Sequence, residues 1–330
     1  ASGTGTTFAT MLVYRNDGNG GFPTTFPRID LSDNTTASFV QTGDLDGDGN
    51  LDFVVAKSTP GNLDLLRGNG DGTFTPFPTL PGTGAGAGVA LQDINNDGYI
   101  DVLTAGGGQL NVFIGDGTGN FIPASTSPKN LSPTLNIRNI STPDVNNDGF
   151  LDIVLPSADT NNTVIVLLNN QDDSFADPLP YFTGAEPFHA ISGDYNGDGN
   201  MDIAAISDVS NNITILEGDG AGGFVPSTTS PIALPAVASE YWGFEHGDFD
   251  ADGRIDLVVT GNATNQVLLL KGDGDSDFAL FPSFPFNVGT SKPFHILTAD
   301  FNNDGVTDIT FSDPGANMPV SYTHLRAHET

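Results

Sequence analysis

Cysteine is absent from the 330-residue chain, so disulfide bonds and cysteine nucleophiles are both excluded. Basic residues are scarce as well: ten lysines and arginines stand against 41 aspartates and glutamates, and the formal net charge is −31. A surface this acidic has no basic patch that could release counterions from a phosphate backbone. We therefore expect no nucleic-acid partner, and anionic membrane surfaces are disfavoured for the same reason.

Long apolar runs are missing too. The run VIVLL at 164–168 is among the longest and is far too short to span a bilayer, so we expect no membrane insertion. No segment has helical periodicity, whereas 41 glycines, 22 prolines and many Asn, Ser and Thr residues indicate frequent turns. The 37% of hydrophobic residues, with 23 phenylalanines, are enough for a packed core. These features predict an all-β protein.

An internal repeat organises the chain. The segment GDLDGDGNLDFVVA holds four aspartates within nine positions, and related segments follow at intervals of 49 to 54 residues. The six copies lie at 43–56, 92–105, 143–156, 193–206, 247–260 and 299–312. Each of the first five is followed by a short β-type run, a Gly/Asp/Asn cluster and a Phe, as in LLRGNGDGTF at 65–74. This second element predicts a hairpin whose turn requires positive φ.

Each period therefore holds about four strands: one before the aspartate loop, one after it and two around the hairpin. The strands after the loops are almost entirely apolar, as in FVVA at 53–56, which indicates strands covered on both faces. Four short strands per repeat, without helices, are typical of a β-propeller built from four-stranded blades.

The two ends of the chain bear on ring closure. Segment 11–22 is a hairpin unit with no aspartate loop before it, and the sixth loop has no hairpin after it. We predict that these N-terminal strands complete the last blade and close the ring. A single propeller domain would span 1–319, with six blades, or seven if the C-terminus is truncated. The tail at 320–330 fits no repeat and resembles the translation of a sequencing-library adapter, so we interpret it as non-native.

The aspartate loops share the pattern D-x-[DN]-x-D-G-x-x-D, whose positions we number 1 to 9. Oxygen ligands at alternate positions, a glycine at the sharp turn and a later carboxylate are typical of a calcium loop. An EF-hand is excluded because it would place a Glu at position twelve between helices, whereas no copy is acidic there and strands follow. We therefore predict up to six structural Ca²⁺ ions. The alternative is a metal-free Asx turn.

The predicted metal ligands are the side chains at positions 1, 3, 5 and 9, with the carbonyl of Asn50 as a further ligand in the first loop. Position 3 is Asn in four copies, and the lower charge should weaken calcium binding there. In chain order the metal-binding residues are Asp44, Asp46, Asp48, Asn50, Asp52, Asp93, Asn95, Asp97, Asp101, Asp144, Asn146, Asp148, Asp152, Asp194, Asn196, Asp198, Asp202, Asp248, Asp250, Asp252, Asp256, Asp300, Asn302, Asp304 and Asp308.

The combination GDxDGDGxxD followed by LLxGxGDGTF resembles the FG-GAP/VCBS repeat of integrin-type propellers and of some fungal and bacterial lectins. The resemblance covers residues 8 to about 318. It implies a propeller, usually of seven blades, whose calcium loops lie on one face and are mostly structural. Ligand sites in that family lie elsewhere, at blade interfaces or on the opposite face. The resemblance therefore assigns metal residues and no ligand pocket.

The widest interval between copies contains ASEYWGFEHGD at 238–248, with the one tryptophan of the chain. An aromatic ring beside carboxylates can stack on a sugar and hydrogen-bond its hydroxyls. The alternative is an insertion that fills a gap between blades with aromatic bulk. The candidate ligand-binding residues of this segment are Glu240, Tyr241, Trp242 and His246.

Two histidines, His189 and His295, occur in the same PFH context five residues before a loop aspartate. They could converge to form a polar pocket or a weak metal site. The alternative is a pair of core histidines with satisfied hydrogen bonds. The equivalent residues of the other repeats are Phe39, Gly88, Asn139 and Gly243.

Catalytic patterns are scarce, because the sequence has no G-x-S-x-G and no H-E-x-x-H and its paired acids are assigned to metal. We therefore expect a secreted, extracellular, lectin-like binding module for a glycan or a protein surface, used in adhesion or recognition. The chain begins at Ala1 rather than Met, which suits a processed, exported protein. The first alternative is a self-assembling subunit of a surface layer or filament. A propeller enzyme, such as a lyase or hydrolase, is the second alternative.

Overall fold

The computed structural model describes most of the repeat region. Its described residues are 10–12, 28–30, 37–57, 61–83, 88–132, 135–137, 139–235, 241–282, 284–288, 292–300 and 305–312. The turn of the N-terminal hairpin unit, Glu240, Asn302, Asp304 and the tail at 320–330 lie outside these residues. Ring closure by the N-terminal strands and the non-native tail therefore stay predictions.

The chain divides into two compact units, 1–140 with 169–175 and 141–168 with 176–330. Their described residues form antiparallel sheets, and the regular helix among them is the three-residue 3-10 turn Asn262–Thr264. No helix in this part of the chain has the length and apolar character needed to cross a membrane.

The first unit holds an N-terminal pair of strands and two five-stranded sheets, sheet 1 (β3–β7) and sheet 2 (β8–β12). In chain order the strands are β1 (Thr10–Leu12), β2 (Arg28–Asp30), β3 (Ala37–Gly43), β4 (Asp52–Lys57), β5 (Asn62–Gly68), β6 (Phe74–Pro76), β7 (Leu80–Pro81), β8 (Gly88–Gln92), β9 (Asp101–Gly106), β10 (Gln109–Gly115), β11 (Phe121–Pro123) and β12 (Lys129–Asn130).

The second unit holds sheets 3 to 6, of three, five, five and two strands. Sheet 3 is β13 (Ile153–Ser157), β14 (Thr163–Leu167) and β15 (Leu179–Phe182). Sheet 4 is β16 (Pro187–Gly193), β17 (Asp202–Ser207), β18 (Asn212–Gly218), β19 (Phe224–Pro226) and β20 (Ile232–Ala233). Sheet 5 is β21 (Tyr241–Gly247), β22 (Asp256–Gly261), β23 (Gln266–Gly272), β24 (Phe278–Leu280) and β25 (Phe286–Asn287). Sheet 6 is β26 (Ile296–Ala299) and β27 (Asp308–Phe311).

The predicted four-stranded meander is confirmed in the complete sheets, with the outermost strand broken into two pieces. In sheet 1, for example, β6 pairs with the end of β5 and β7 pairs with its beginning. Each outer segment contains two or three prolines. Because proline has no N–H to donate, it interrupts the ladder, so the outer edge is discontinuous.

Sheet 3 departs from the pattern at its first strand, which in the described residues 139–143 is reduced to an isolated bridge between Ser141 and Val154. Pro143 stands where the other repeats have a residue that can donate to the ladder. Its carbonyl still accepts from Asp152 N at 2.7 Å, but the return bond is missing because proline has no N–H.

The core lies between neighbouring sheets, because the second strand of each sheet is covered on both faces. Every residue of β9, β17 and β22 is buried. In the second unit, Ile206 of sheet 4 and Leu257 of sheet 5 belong to one buried cluster. First strands of successive sheets also contact one another, β3 with β8 and β16 with β21. This is the stacking of propeller blades, and it confirms the predicted fold class.

Candidate functional site

The aspartate loops connect the first two strands of sheets 1, 2, 4, 5 and 6 and precede β13 in sheet 3, and the position 1 carboxylate closes them. In loop 1 (44–52), Asp44 accepts from Asp48 N at 3.1 Å and from Gly49 N at 2.9 Å. Gly49 has φ of +85°, and nothing lies within 4 Å of a Cβ built there, so the backbone conformation alone requires glycine. Loops 2 to 5 (93–101, 144–152, 194–202 and 248–256) repeat this closure.

The position 9 aspartate ties its loop to the hairpin of the same sheet. Asp52 is fully buried and accepts from Leu45 N at 2.8 Å and from Gly68 N at 2.7 Å. Gly68 ends the third strand, so one carboxylate holds the loop against that strand. Asp101, Asp202 and Asp256 make the same two contacts in sheets 2, 4 and 5. Burial raises the pKa of each of these three carboxyls to about 6, although the N–H bonds act in the opposite direction.

The position 3 and 5 side chains project a second set of oxygens. Carboxylate oxygens of Asp44, Asp46 and Asp48 lie within 4.8 Å of one another, as do those of Asp248, Asp250 and Asp256. Oxygen ligands 2.3–2.6 Å from a calcium ion lie up to about 5 Å apart, so this spacing fits a coordination shell. The donors are all oxygens, as a hard divalent cation requires. Loops 1 and 5 therefore fit a metal ion by donor chemistry and by spacing.

Two of these loops also receive a basic side chain from the third strand. In loop 1, Arg67 Nε lies 2.7 Å from Asp46 Oδ2, and its Nη2 lies 3.0 Å from Asp48 Oδ2. In loop 5, Lys271 Nζ contacts both Asp250 Oδ2 and Asp252 Oδ2. The sequence analysis missed both cations. They could have been predicted from the sequence, because a basic residue stands just before the hairpin glycine in these two repeats.

In loops 2 to 4 the position 3 asparagine donates its amide instead. Asn146 Nδ2 donates to Asp148 Oδ2 at 3.0 Å, and Asn196 Nδ2 donates to Asp198 Oδ2 at 3.2 Å. Asn95 Nδ2 donates to Asp173 Oδ1 at 3.1 Å in the first unit. A neutral amide thus replaces the cation in loops 3 and 4.

The candidate residues of segment 238–248 lie in different surroundings. Tyr241 is buried in the core of the second unit, and burial raises its pKa to about 12. Its hydroxyl has no hydrogen-bond partner among the described residues. The backbone of Trp242 lies near the start of β21, whereas His246 lies near the end of that strand, beside loop 5.

His246 contacts a residue that the sequence analysis did not select. Its Nδ1 lies 3.3 Å from the Tyr195 hydroxyl, and burial lowers the pKa of His246. Tyr195 occupies position 2 of loop 4, where the other loops have Leu, Ile, Val or Phe, and this difference was readable in the sequence. The neighbouring Glu245 is also mostly buried, which raises its pKa to about 7.

His189 and His295 both lie in the second unit, within range for the charge of His295 to act on the pKa of His189. The pKa of His189 is lowered to about 4, first by burial and then by the positive charge of His295. The His189 ring packs edge-on against Phe244 of β21, with centroids 6.3 Å apart. His295 packs against Phe294, and burial lowers its pKa as well. Both histidines lie at the beginning of a first strand, the end opposite to the aspartate loops.

Comparison with known proteins gives one curated relative and several solved structures. Protein linkin of Caenorhabditis elegans is 26% identical over 135 residues, which are 38% of this chain and 22% of linkin. The chain thus matches about a fifth of the length of that relative.

Three solved structures share the fold at low sequence identity. An Agrocybe aegerita lectin that recognises non-reducing terminal N-acetylglucosamine is 20% identical, with a TM-score of 0.59 over 92% of this chain and 84% of the lectin. BBS1N, solved in complex with ARL6DN, is 12% identical, with a TM-score of 0.58 over 84% and 76%. Virginiamycin B lyase from Staphylococcus aureus is also 12% identical, with a TM-score of 0.55 over 88% and 81%. At these identities the likeness concerns the fold.

The family assignment rests on the repeat itself. The model of the FG-GAP-like repeat matches six overlapping segments, and the last five each run from one aspartate loop to the strand after the next loop. The matched residues are 4–55, 44–104, 93–155, 144–205, 194–259 and 248–311. With a match to every copy of the loop and nearly the whole repeat region, the chain belongs to the FG-GAP-like repeat family.

Proposed function

We propose that this protein is an extracellular, calcium-stabilised propeller module that binds a carbohydrate or a protein surface for adhesion or recognition. The observation that carries the proposal is the position of His189 and His295 at the beginnings of the first strands of sheets 4 and 6, with the backbone of Trp242 near the beginning of β21 in sheet 5. These three residues, which we call the histidine patch, stand where the other repeats have no histidine or tryptophan. Imidazole and indole groups can hydrogen-bond and stack on a hydroxylated ligand.

Calcium is the metal that suits the loops best. Their donors are carboxylate, amide and carbonyl oxygens on a flexible turn, whereas magnesium prefers a strict octahedron and keeps several waters. Twenty of the 41 acidic residues lie in the six loops, so bound cations would remove much of their mutual repulsion. Calcium sites of extracellular modules have dissociation constants of about 10⁻⁴–10⁻³ M, which suits loops that are filled outside the cell.

A glycan array on the calcium-loaded protein tests the carbohydrate form of the proposal. Terminal N-acetylglucosamine glycans belong on that array because the similar Agrocybe lectin recognises this sugar. Binding that is lost in Trp242→Ala and in the double variant His189→Ala/His295→Ala would support the histidine patch. His246→Ala is the matched control, because it removes an imidazole from the loop end of the neighbouring strand. An array without signal, or equal loss in the control, would contradict the carbohydrate site.

Self-assembly is the second candidate function, and the outer strands favour it. Phe182 on β15, Ile122 on β11 and Val225 on β19 have 76%, 68% and 62% of their surfaces exposed. An apolar edge strand can template pairing with another chain. Light scattering during size-exclusion chromatography distinguishes this role, since a strictly monomeric species across concentrations would exclude it.

An enzymatic role finds less support. Glu245 has a pKa suited to an acid, and His246 is its neighbour on β21. Adjacent residues of a strand point to opposite faces, so these two side chains do not form an acid–base pair.

A further inference from the structure

The six aspartate loops differ in charge at position 3, and the difference is matched by a residue elsewhere in the same repeat. Position 3 is acidic in loops 1 and 5, as Asp46 and Asp250, and is Asn in the other four. The residue before the hairpin turn is basic in these two repeats, as Arg67 and Lys271. The corresponding residues of repeats 2, 3 and 4 are Ile114, Leu168 and Glu217. The extra carboxylate and the extra cation therefore occur together.

The contacts explain this pairing. In loop 1 the Oδ1 atoms of Asp46 and Asp48 accept loop N–H groups, from Asp48 N at 3.3 Å and Asn50 N at 2.9 Å. Arg67 takes the Oδ2 atoms of the same two carboxylates. These Oδ2 atoms belong to two of the predicted metal ligands. Arg67 thus binds oxygens of two carboxylates that would hold a metal ion in this loop.

In loop 5 the position 5 carboxylate divides its oxygens in the same way, although the cation there is a lysine. Asp252 Oδ1 accepts from Arg254 N at 3.0 Å, while its Oδ2 lies 2.7 Å from Lys271 Nζ. Lys271 Nζ also contacts Asp250 Oδ2. Two chemically different side chains reach equivalent oxygens from the same place on the third strand, so the position itself is the shared feature.

The two kinds of loop differ in the partner of the position 5 carboxylate and not in net charge. Loops 1 and 5 each have four carboxylates and one cation from the third strand, which give a local charge of −3 if Arg254 is left aside. The loops with Asn at position 3, which we call the Asn-type loops, have three carboxylates and therefore the same charge. In loops 3 and 4, however, the position 5 carboxylate meets a neutral amide. Repeats 2, 3 and 4 have Ile114, Leu168 and Glu217 at the position of Arg67 and Lys271, so a divalent cation need not displace a basic side chain of the third strand there.

We propose that Arg67 and Lys271 are internal counter-cations that hold loops 1 and 5 folded without metal, so that the Asn-type loops carry the calcium requirement. The inference rests on the calcium binding proposed above. A tethered cation is present at high effective concentration and must be displaced before a metal can bind. Loops 1 and 5 should therefore bind calcium most weakly, which reverses the order expected from the number of carboxylates.

Titration calorimetry and native mass spectrometry with Ca²⁺ test the proposal on the whole chain. The wild type should bind up to four ions tightly, in loops 2, 3, 4 and 6. Arg67→Met and Lys271→Met should each add one tight ion, and the double variant should add two. Lys129→Met is the matched control, because it removes a positive charge at the end of sheet 2 opposite to loop 2 and should leave the count unchanged.

The double variant Asp46→Asn/Arg67→Met covers the case in which Arg67→Met does not fold, because it converts loop 1 to the Asn type at unchanged local charge. It should fold, gain one calcium ion and become more sensitive to EDTA. Six tightly bound ions in the wild type, or no added ion in any variant, would overturn the proposed role of Arg67 and Lys271. Either result would leave the proposed calcium binding intact. No calcium in the wild type or any variant would overturn both.

Discussion

The backbone N–H of Gly68 donates to Asp52 Oδ1 at 2.7 Å, across sixteen residues of sequence and in a fully buried setting. The same carboxylate accepts from Leu45 N with its other oxygen. The last aspartate of the loop therefore acts on the backbone of its own sheet, whether or not it also contacts a metal ion. This relationship recurs in sheets 2, 4 and 5. A mutation of the last loop aspartate should therefore also destabilise the hairpin.

Replacement of Asp52 by Ala should destabilise the protein by about 2–4 kcal/mol, because two buried N–H groups lose their acceptor. Urea unfolding in EDTA measures this cost without a metal contribution. Asp71→Ala is a suitable control, since Asp71 lies in an exposed hairpin turn and should cost less than about 1 kcal/mol. Equal stability of the two variants in EDTA would contradict the buried role of Asp52.

Removal of calcium should lower the melting temperature substantially. A ligand that binds only the native state stabilises it by about 2.7 kcal/mol per site at a concentration of 100 times Kd, and several loops contribute. Thermal melts in EDTA, in excess Ca²⁺ and in excess Mg²⁺ measure the effect. Mg²⁺ should raise the melting temperature less than Ca²⁺ does. A melt that EDTA leaves unchanged would contradict the metal interpretation.

The pH dependence of stability should contain a contribution from Glu245. Burial raises its pKa to about 7 in the folded state, whereas an unfolded Glu has a pKa of about 4.3. The folded state therefore holds the proton more tightly, and this stabilisation is complete below about pH 4 and is lost as the pH rises through 7.

Relative to Glu245→Gln, the wild type should lose on the order of 2 kcal/mol between pH 4.5 and 7.5. Unfolding of both proteins across that range gives the difference, and the loops contribute equally to both. Parallel pH profiles would show that Glu245 is not held in its protonated form.

Ala251 offers a test of local backbone strain at position 4 of loop 5. Its φ is +61°, a region that favours glycine or asparagine, and loops 1 and 2 have Gly47 and Asn96 at this position. Ala251→Gly should stabilise the protein by about 0.5–1 kcal/mol. The control Ala279→Gly, on exposed strand β24, should destabilise it by a similar amount. A loss of stability in Ala251→Gly would argue against the strain.

Loop and hairpin turns could be predicted because their structure depends on neighbours in the sequence. The glycines at position 6, the oxygen donors at alternate positions and the glycine-rich hairpins act within about nine residues, so spacing alone identifies them. The six copies of the repeat also predicted the blade architecture, because each repeat must bury the same apolar strand against its neighbours. The break in the outermost strand was not predicted, although its prolines are visible in the sequence. A proline interrupts a strand only where its missing N–H would have donated to the neighbouring strand, and the sequence does not show which residues those are.

The contacts that distinguish the repeats required the tertiary structure. Strand register brings Arg67 to Asp46 and pairs Lys57 with Asp64 at 2.8 Å in a buried ion pair. Packing between sheets brings His246 to Tyr195, 51 residues apart. The sequence by itself determined the repeat, the turn geometry and the oxygen donors, because these depend on local backbone preferences. Only the tertiary structure decided which cation, imidazole or N–H meets each carboxylate, because that depends on register and on the approach of one sheet to the next.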